Sequence, residues 1–165
     1  WRHVLASLPA ESFLCWDEPV LAVFDGVVAE VGEGWADRRN INLGIALLGG
    51  LFRNPRITAE DLRPLTGNYV VVESEAGVAC YAHLRCGSIR VRPGQAVARG
   101  EVIGNVGNSG NTSMPHLHFH MMDRPNLREA QGLACRFQRY ERFREGQWEL
   151  VHDGIPARLE RIRWL

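Results

Sequence analysis

Short runs of β-branched and aromatic residues, several of them alternating between apolar and polar side chains, recur along this chain, a pattern of β-strands rather than helices. Asn68 to Glu73 (NYVVVE) and Val78 to Leu84 (VACYAHL) predict two strands joined by the hairpin signal Ser74-Glu75-Ala76-Gly77. Val20 to Val31 (VLAVFDGVVAEV) reads as a second hairpin around Asp25-Gly26, a dipeptide that accepts the positive φ angles of a tight turn. Val91, Gly94, Val97, Gly100, Ile103 and Val106 recur every third residue. Neither the helix nor the strand period produces that spacing, whereas short strands separated by glycine turns do. The run His116-Leu117-His118-Phe119-His120-Met121-Met122 predicts a strand with three imidazoles on one face and Leu117, Phe119 and Met121 on the other.

Two stretches break the pattern. Residues 32–67 scatter Gly, Pro, Arg and Asn and read as an insertion, with a short helix expected near Asn42 to Leu51. Within it, Ile41 to Phe52 is the most apolar run, yet it is too short for the roughly 20 residues a membrane helix needs. From about Gly132 to Leu165 the chain is rich in Arg, Glu and aromatics, with Phe137, Tyr140 and Phe143 three apart, and reads as peripheral strands or a short helix packing on the core. The expected fold is mainly β: an antiparallel β-sandwich or partly open barrel of short strands with Gly-rich turns and few short helices. One domain is expected over residues 1–165.

Composition changes this picture little. Hydrophobic residues make up 45% and charged ones 23%, which suits a folded domain and not a disordered chain. Nineteen basic and nineteen acidic side chains cancel, so no global field draws the protein to nucleic acid or to an anionic membrane. Four cysteines, Cys15, Cys80, Cys86 and Cys135, lack dense framework spacing. Cys80-x-x-His83-x-x-Cys86 is a poor zinc cluster, because strand alternation points Cys80 away from His83 and an extended chain sets the two thiols about 20 Å apart. Buried or half-buried thiols are expected instead. The chain opens Trp1-Arg2-His3, without an initiating Met or a signal-like core, and the expectation is that something precedes it.

Histidines two apart on a strand share a face with backbones about 6.6 Å apart, so both rings can reach one small site. His116 with His118, and His118 with His120, meet that condition. A catalytic zinc takes three protein ligands, with imidazole nitrogens at about 2.0–2.1 Å, and keeps a position for water. The outer two of the three histidines lie about 13 Å apart on a strand, so one or two of them, completed by residues from elsewhere, is the better arrangement. His83, near the end of another predicted strand, is a fourth imidazole in reach of such a site.

The segments Tyr81-Ala82-His83-Leu84, Val91-Arg92-Pro93-Gly94 through Ile103-Gly104, Gly107-Asn108-Ser109-Gly110-Asn111 and Pro115-His116-Leu117-His118-Phe119 together resemble the lysostaphin-type zinc metallopeptidases, which are peptidoglycan endopeptidases. Pro19-Val20-Leu21-Ala22 and Asp25-Gly26-Val27-Val28 resemble the family's early segment, and the likeness runs in order over about residues 19–31 and 67–123. It implies a small antiparallel β fold with one zinc ion in a groove, His118 as a zinc ligand, and His83 and His116 as the catalytic imidazoles. It also implies a peptidoglycan peptide as substrate and a cell-envelope location, periplasmic or secreted. The family's remaining ligands come from an H-x-x-x-D segment, and no His here is followed four residues later by Asp. That segment is expected ahead of Trp1. His120 stands where the family often has an acidic or other polar residue, and reads either as a hydrogen-bond partner of His118 or as a surface residue. The alternative function is a catalytically inactive peptidoglycan-binding or regulatory domain that keeps the groove without the metal. A carrier module is disfavoured, since the chain contains no Lys for a prosthetic group.

Overall fold

A computed structural model describes residues 7–42 and 62–163. The chain is mainly β and divides into two compact units, Trp1–Gly132 and Leu133–Leu165. In the first, β1 (Ser7–Pro9) pairs antiparallel with β4 (Asn40–Asn42), and β2 (Pro19–Leu21) with β8 (Val102–Asn105). The large sheet orders β10 (Gly132–Leu133), β9 (His118–Met122), β6 (Gly77–Leu84), β5 (Asn68–Ser74), β3 (Gly26–Gly32) and β7 (Ala96–Val97). A one-turn helix, Arg63–Thr66, leads into β5 through Gly67.

Both faces of β5 and β6 are covered, which is why their sequences are continuously apolar instead of alternating. Val70, Val72, Ala79 and Tyr81 meet Val20, Ala22 and Ile103, from in and beside the β2–β8 pair, in one core. Phe119 and Met121 pack on that core. Val71, Val78, Cys80, Ala82 and Met122 form a second cluster on the opposite face. Val70, Val71 and Val72 are each 0% exposed, and burying a valine contributes roughly 1.5–3 kcal/mol. The Tyr81 hydroxyl, carried deep into the first core, accepts the Val23 N–H at 2.9 Å, so its polar end is not orphaned.

The predicted hairpin of β5 and β6 forms with Ser74 opposite Gly77. The glycine-spaced segment folds into β7 and β8, with turns at Gly94 and Gly100, whose φ angles are 82° and 84°. The expected hairpin around Asp25-Gly26 does not form. β2 pairs with β8 while β3 pairs with β5 and β7, so Asp25-Gly26 lies where the chain crosses between two sheets. The Asp25 carboxylate accepts the Arg99 N–H at 2.6 Å, and the Ala22 N–H goes to the Glu101 carbonyl at 2.9 Å. Those bonds tie the dipeptide to the β7–β8 connection, a long-range partner that outcompetes the local turn.

Most of the helix expected near Asn42 to Leu51 lies outside the described residues, and Asn42 itself ends β4. In the second unit the either-or of strands and helix resolves to strands: β11 (Phe137–Arg144), β12 (Gln147–Gly154) and β13 (Ile162–Arg163) form one antiparallel sheet. Phe143 faces Trp148 across the strands, and the Arg163 guanidinium sits 4.3 Å from the Trp148 ring centroid. Tyr140 is the buried side chain of this unit, next to Val151 and Gly154. Among the described residues no helix is long and apolar enough to cross a membrane.

Candidate functional site

His83, the penultimate residue of β6, has a φ of 63°, a left-handed backbone that swings its ring out of the strand's alternation. Its side chain is 6% exposed, and Nδ1 lies 2.9 Å from the Ser109 carbonyl. A carbonyl oxygen can only accept, so the ring proton sits on Nδ1 and Nε2 keeps a lone pair. His116 is exposed but held in the same way. Its Nδ1 lies 2.8 Å from the Met114 carbonyl and 3.1 Å from the Thr112 hydroxyl, whose own proton goes to Met114 O at 2.7 Å. His116 therefore also carries Nδ1–H and a free Nε2. The His83 and His116 ring centroids are 4.8 Å apart, and those of His83 and His118 are 5.8 Å apart. His118 Nε2 lies 3.0 Å from His120 Nδ1, so one of the two nitrogens carries the shared proton.

Burial drives the His83 pKa down to about 4, opposed by the bond to Ser109 O and reinforced by His116, His118 and Arg38 nearby. Burial likewise lowers His118 and His120, helped by His116 and His118 respectively. All three imidazoles are neutral at pH 7. For His83 the folded state disfavours a proton that the unfolded chain takes up near pH 6.5. Its contribution to stability is then complete above about pH 6.5 and is lost as the pH falls towards 4, by roughly 3 kcal/mol. Urea melts at pH 7 and pH 5 are expected to show the first part of that loss, roughly 2 kcal/mol, and His83→Asn is expected to reduce it.

The arrangement of the imidazoles differs from three in a row on one strand face. β9 begins at His118, and His118, His120 and Met122 share its second-core side. His116 stands in the preceding loop, because Pro115 has no N–H for a ladder and the Met114 carbonyl captures the His116 ring. Leu117, expected on the apolar face, is 37% exposed. The loop placement is what lets His116 approach His83. The residues that orient the rings, Ser109 and Thr112, escaped the sequence reading, although a Ser and a Thr in a turn four to seven residues ahead of a His were visible candidates for local side-chain bonds. Asp37 and Arg38, which hold that turn, left no signal at all. The four thiols are free, and burial pushes the Cys80 pKa up to about 12, as expected of a buried structural cysteine.

With Nε2–H donated to His120, His118 keeps its Nδ1 lone pair, which fits one position of a zinc site. Among the described residues, however, no group of three His, Cys, Asp or Glu side chains is arranged to hold a metal ion.

Residues 55–130, which contain all four of these histidines, match Peptidase family M23. Over 62 residues the chain is 42% identical to the peptidoglycan DD-endopeptidase ShyA of Vibrio cholerae, covering 37% of this chain and 14% of the relative. It is 39% identical over 67 residues to the cell division protein DipM of Caulobacter vibrioides, covering 40% of this chain and 11% of that one. The chain thus spans a small part of these curated relatives. Among solved structures, it aligns with the catalytic domain of lysostaphin from Staphylococcus simulans at a TM-score of 0.47 and 23% identity, covering 73% and 70% of the two chains. A zinc-containing peptidase from Vibrio cholerae aligns at 0.46 and 26% identity, covering 70% and 26%.

Proposed function

We propose that this protein is a zinc-dependent endopeptidase that hydrolyses amide bonds in peptidoglycan cross-bridges or stem peptides, within the cell envelope. The observation that carries the proposal is the pair of imidazoles at 83 and 116, 4.8 Å apart, each with Nδ1–H committed to a carbonyl and Nε2 left basic. The M23 match and the endopeptidase name of the Vibrio relative support the substrate class.

In this reading His83 and His116 are the catalytic residues and His118 is a metal ligand, with His120 taking the proton of its far nitrogen. Zinc, bound at His118 with further ligands that the described residues do not supply, would polarise the scissile carbonyl and acidify a water molecule. The neutral Nε2 of His83 or His116 can accept a proton from an attacking water molecule and return it to the departing amine nitrogen. An imidazolium at either position stabilises negative charge on the carbonyl oxygen. Burial of His83 keeps it unprotonated well below pH 7.

Purified peptidoglycan incubated with the zinc-loaded protein should release soluble peptides, a chelator should stop the release, and added zinc should restore it. The lack of a three-residue metal group among the described residues favours a second reading, a binding or regulatory domain without catalysis. Sedimentation of the protein with peptidoglycan, with no soluble product at any zinc concentration, would select that reading.

A further inference from the structure

Thr112 and Met114 fix the His116 ring, and what fixes Thr112 comes from far away in the sequence. The Arg38 guanidinium donates through Nη2 to the Gly110 carbonyl at 2.9 Å and to the Thr112 carbonyl. One cation thereby clamps both sides of Asn111. The clamp is itself braced: Arg38 N donates to Asn108 O at 3.2 Å, and Asn108 Nδ2 donates back to Arg38 O at 2.8 Å. Beside it, the Asp37 carboxylate accepts Asn108 N–H and Cys86 N–H, both at 2.7 Å. Ser109, which orients His83, has separate anchors: its hydroxyl donates to Leu84 O at 2.7 Å and accepts Asn68 N–H at 3.0 Å. The turn therefore has two sets of side-chain tethers, one under each candidate catalytic ring, with the backbone of Asp37 and Arg38 bridged to Asn108 and Ser109 between them.

We propose that Arg38 is a positioning residue for His116, acting through the Thr112 backbone and hydroxyl to hold the ring beside His83 with Nδ1–H turned to the turn's acceptors. Arg38 lies outside residues 55–130, so the orientation of a histidine within the M23 segment is set by a residue beyond it. Arginine suits the task because its planar group presents several donors in a fixed fork, while the ammonium of lysine is a point charge on a mobile stem. Without the clamp, the two carbonyls lose a charge-assisted partner, and the Thr112 hydroxyl that shares Nδ1–H with the Met114 carbonyl is free to move.

The test reads ring protons, not turnover, so it can fail while the peptidase reading stands, and the reverse also holds. Long-range proton–nitrogen spectra of the uniformly labelled full chain at pH 7.5 should show Nδ1 protonated in both His83 and His116. In Arg38→Ala, the two His116 nitrogen signals should move towards a common averaged position, while His83, held by Ser109 O, should keep Nδ1 protonated and show at most a small displacement from the loss of the nearby charge. Arg38→Lys should give an intermediate shift at His116. Thr112→Val, which keeps the side chain's shape, should reproduce the Arg38→Ala change at His116 alone. Cleavage of peptidoglycan by Arg38→Ala should fall at least tenfold in kcat with KM little changed, the signature of a misplaced group. Unaltered His116 signals in Arg38→Lys and Thr112→Val would overturn the proposal, as would equal disturbance of both rings.

Discussion

His116→Ala is expected to lower peptidoglycan cleavage by about 10²–10⁴-fold, the usual contribution of a positioned proton-transfer group. The side chain is exposed and its bonds are local, so the substitution should leave the melting temperature nearly unchanged, within about 0.5 kcal/mol of stability. Loss of rate without loss of fold is what separates a catalytic imidazole from a structural one. His83→Asn should lose a comparable rate, and combining the two should cost far less than the product of the single losses, because groups that act as a unit are not additive. Release of soluble peptides from purified peptidoglycan, followed beside thermal melts, measures both quantities. Wild-type rates in both single variants would remove these residues from the mechanism.

The largest expected loss of stability falls at Gly67. Its backbone has φ 64° and ψ −141°, a region that essentially only glycine occupies, and a Cβ there would lie 2.4 Å from the backbone carbon and oxygen of Ser109. Gly67→Ala therefore combines backbone strain with collision against rigid main chain. Together these should cost roughly 3 kcal/mol or more, lowering Tm on the order of 10 °C. Ser109 O is also the acceptor for His83, so cleavage should suffer beyond what partial unfolding explains. Gly34 provides the control: its φ is 90°, but a methyl group added there would meet nothing within 4 Å. Gly34→Ala should cost about 1 kcal/mol, from the backbone alone. Equal effects of the two substitutions on Tm would show that the Gly67–Ser109 approach is not tight in solution.

Features governed by near neighbours were legible in the sequence. The β5–β6 hairpin follows from Ser74 to Gly77, and the turns at Gly94 and Gly100 from the glycine spacing, because each depends on a few adjacent residues. The gathering of imidazoles from β6 and the approach to β9 was likewise readable, since a strand-end His83 and an H-x-H run both mark that edge. Non-local competition hid the rest. Asp25-Gly26 has ideal local turn chemistry, yet the bond from Arg99 N–H to Asp25, 74 residues away in sequence, belongs to a different pairing. His116 fits a strand by alternation and leaves it because of a carbonyl two residues earlier. Arg38 sits in a stretch whose composition reads as filler, and its importance exists only through carbonyls more than 70 residues downstream.

The left-handed turn of the main chain at residue 83 has one further implication. Any side chain with a Cβ, histidine included, sits there at a disadvantage of roughly 1–2 kcal/mol relative to glycine. The molecule thus tolerates a locally unfavourable geometry at the very position where its most deeply sheltered imidazole emerges, trading robustness for aim. A glycine at that point would relax the bend and leave a sturdier, chemically silent protein.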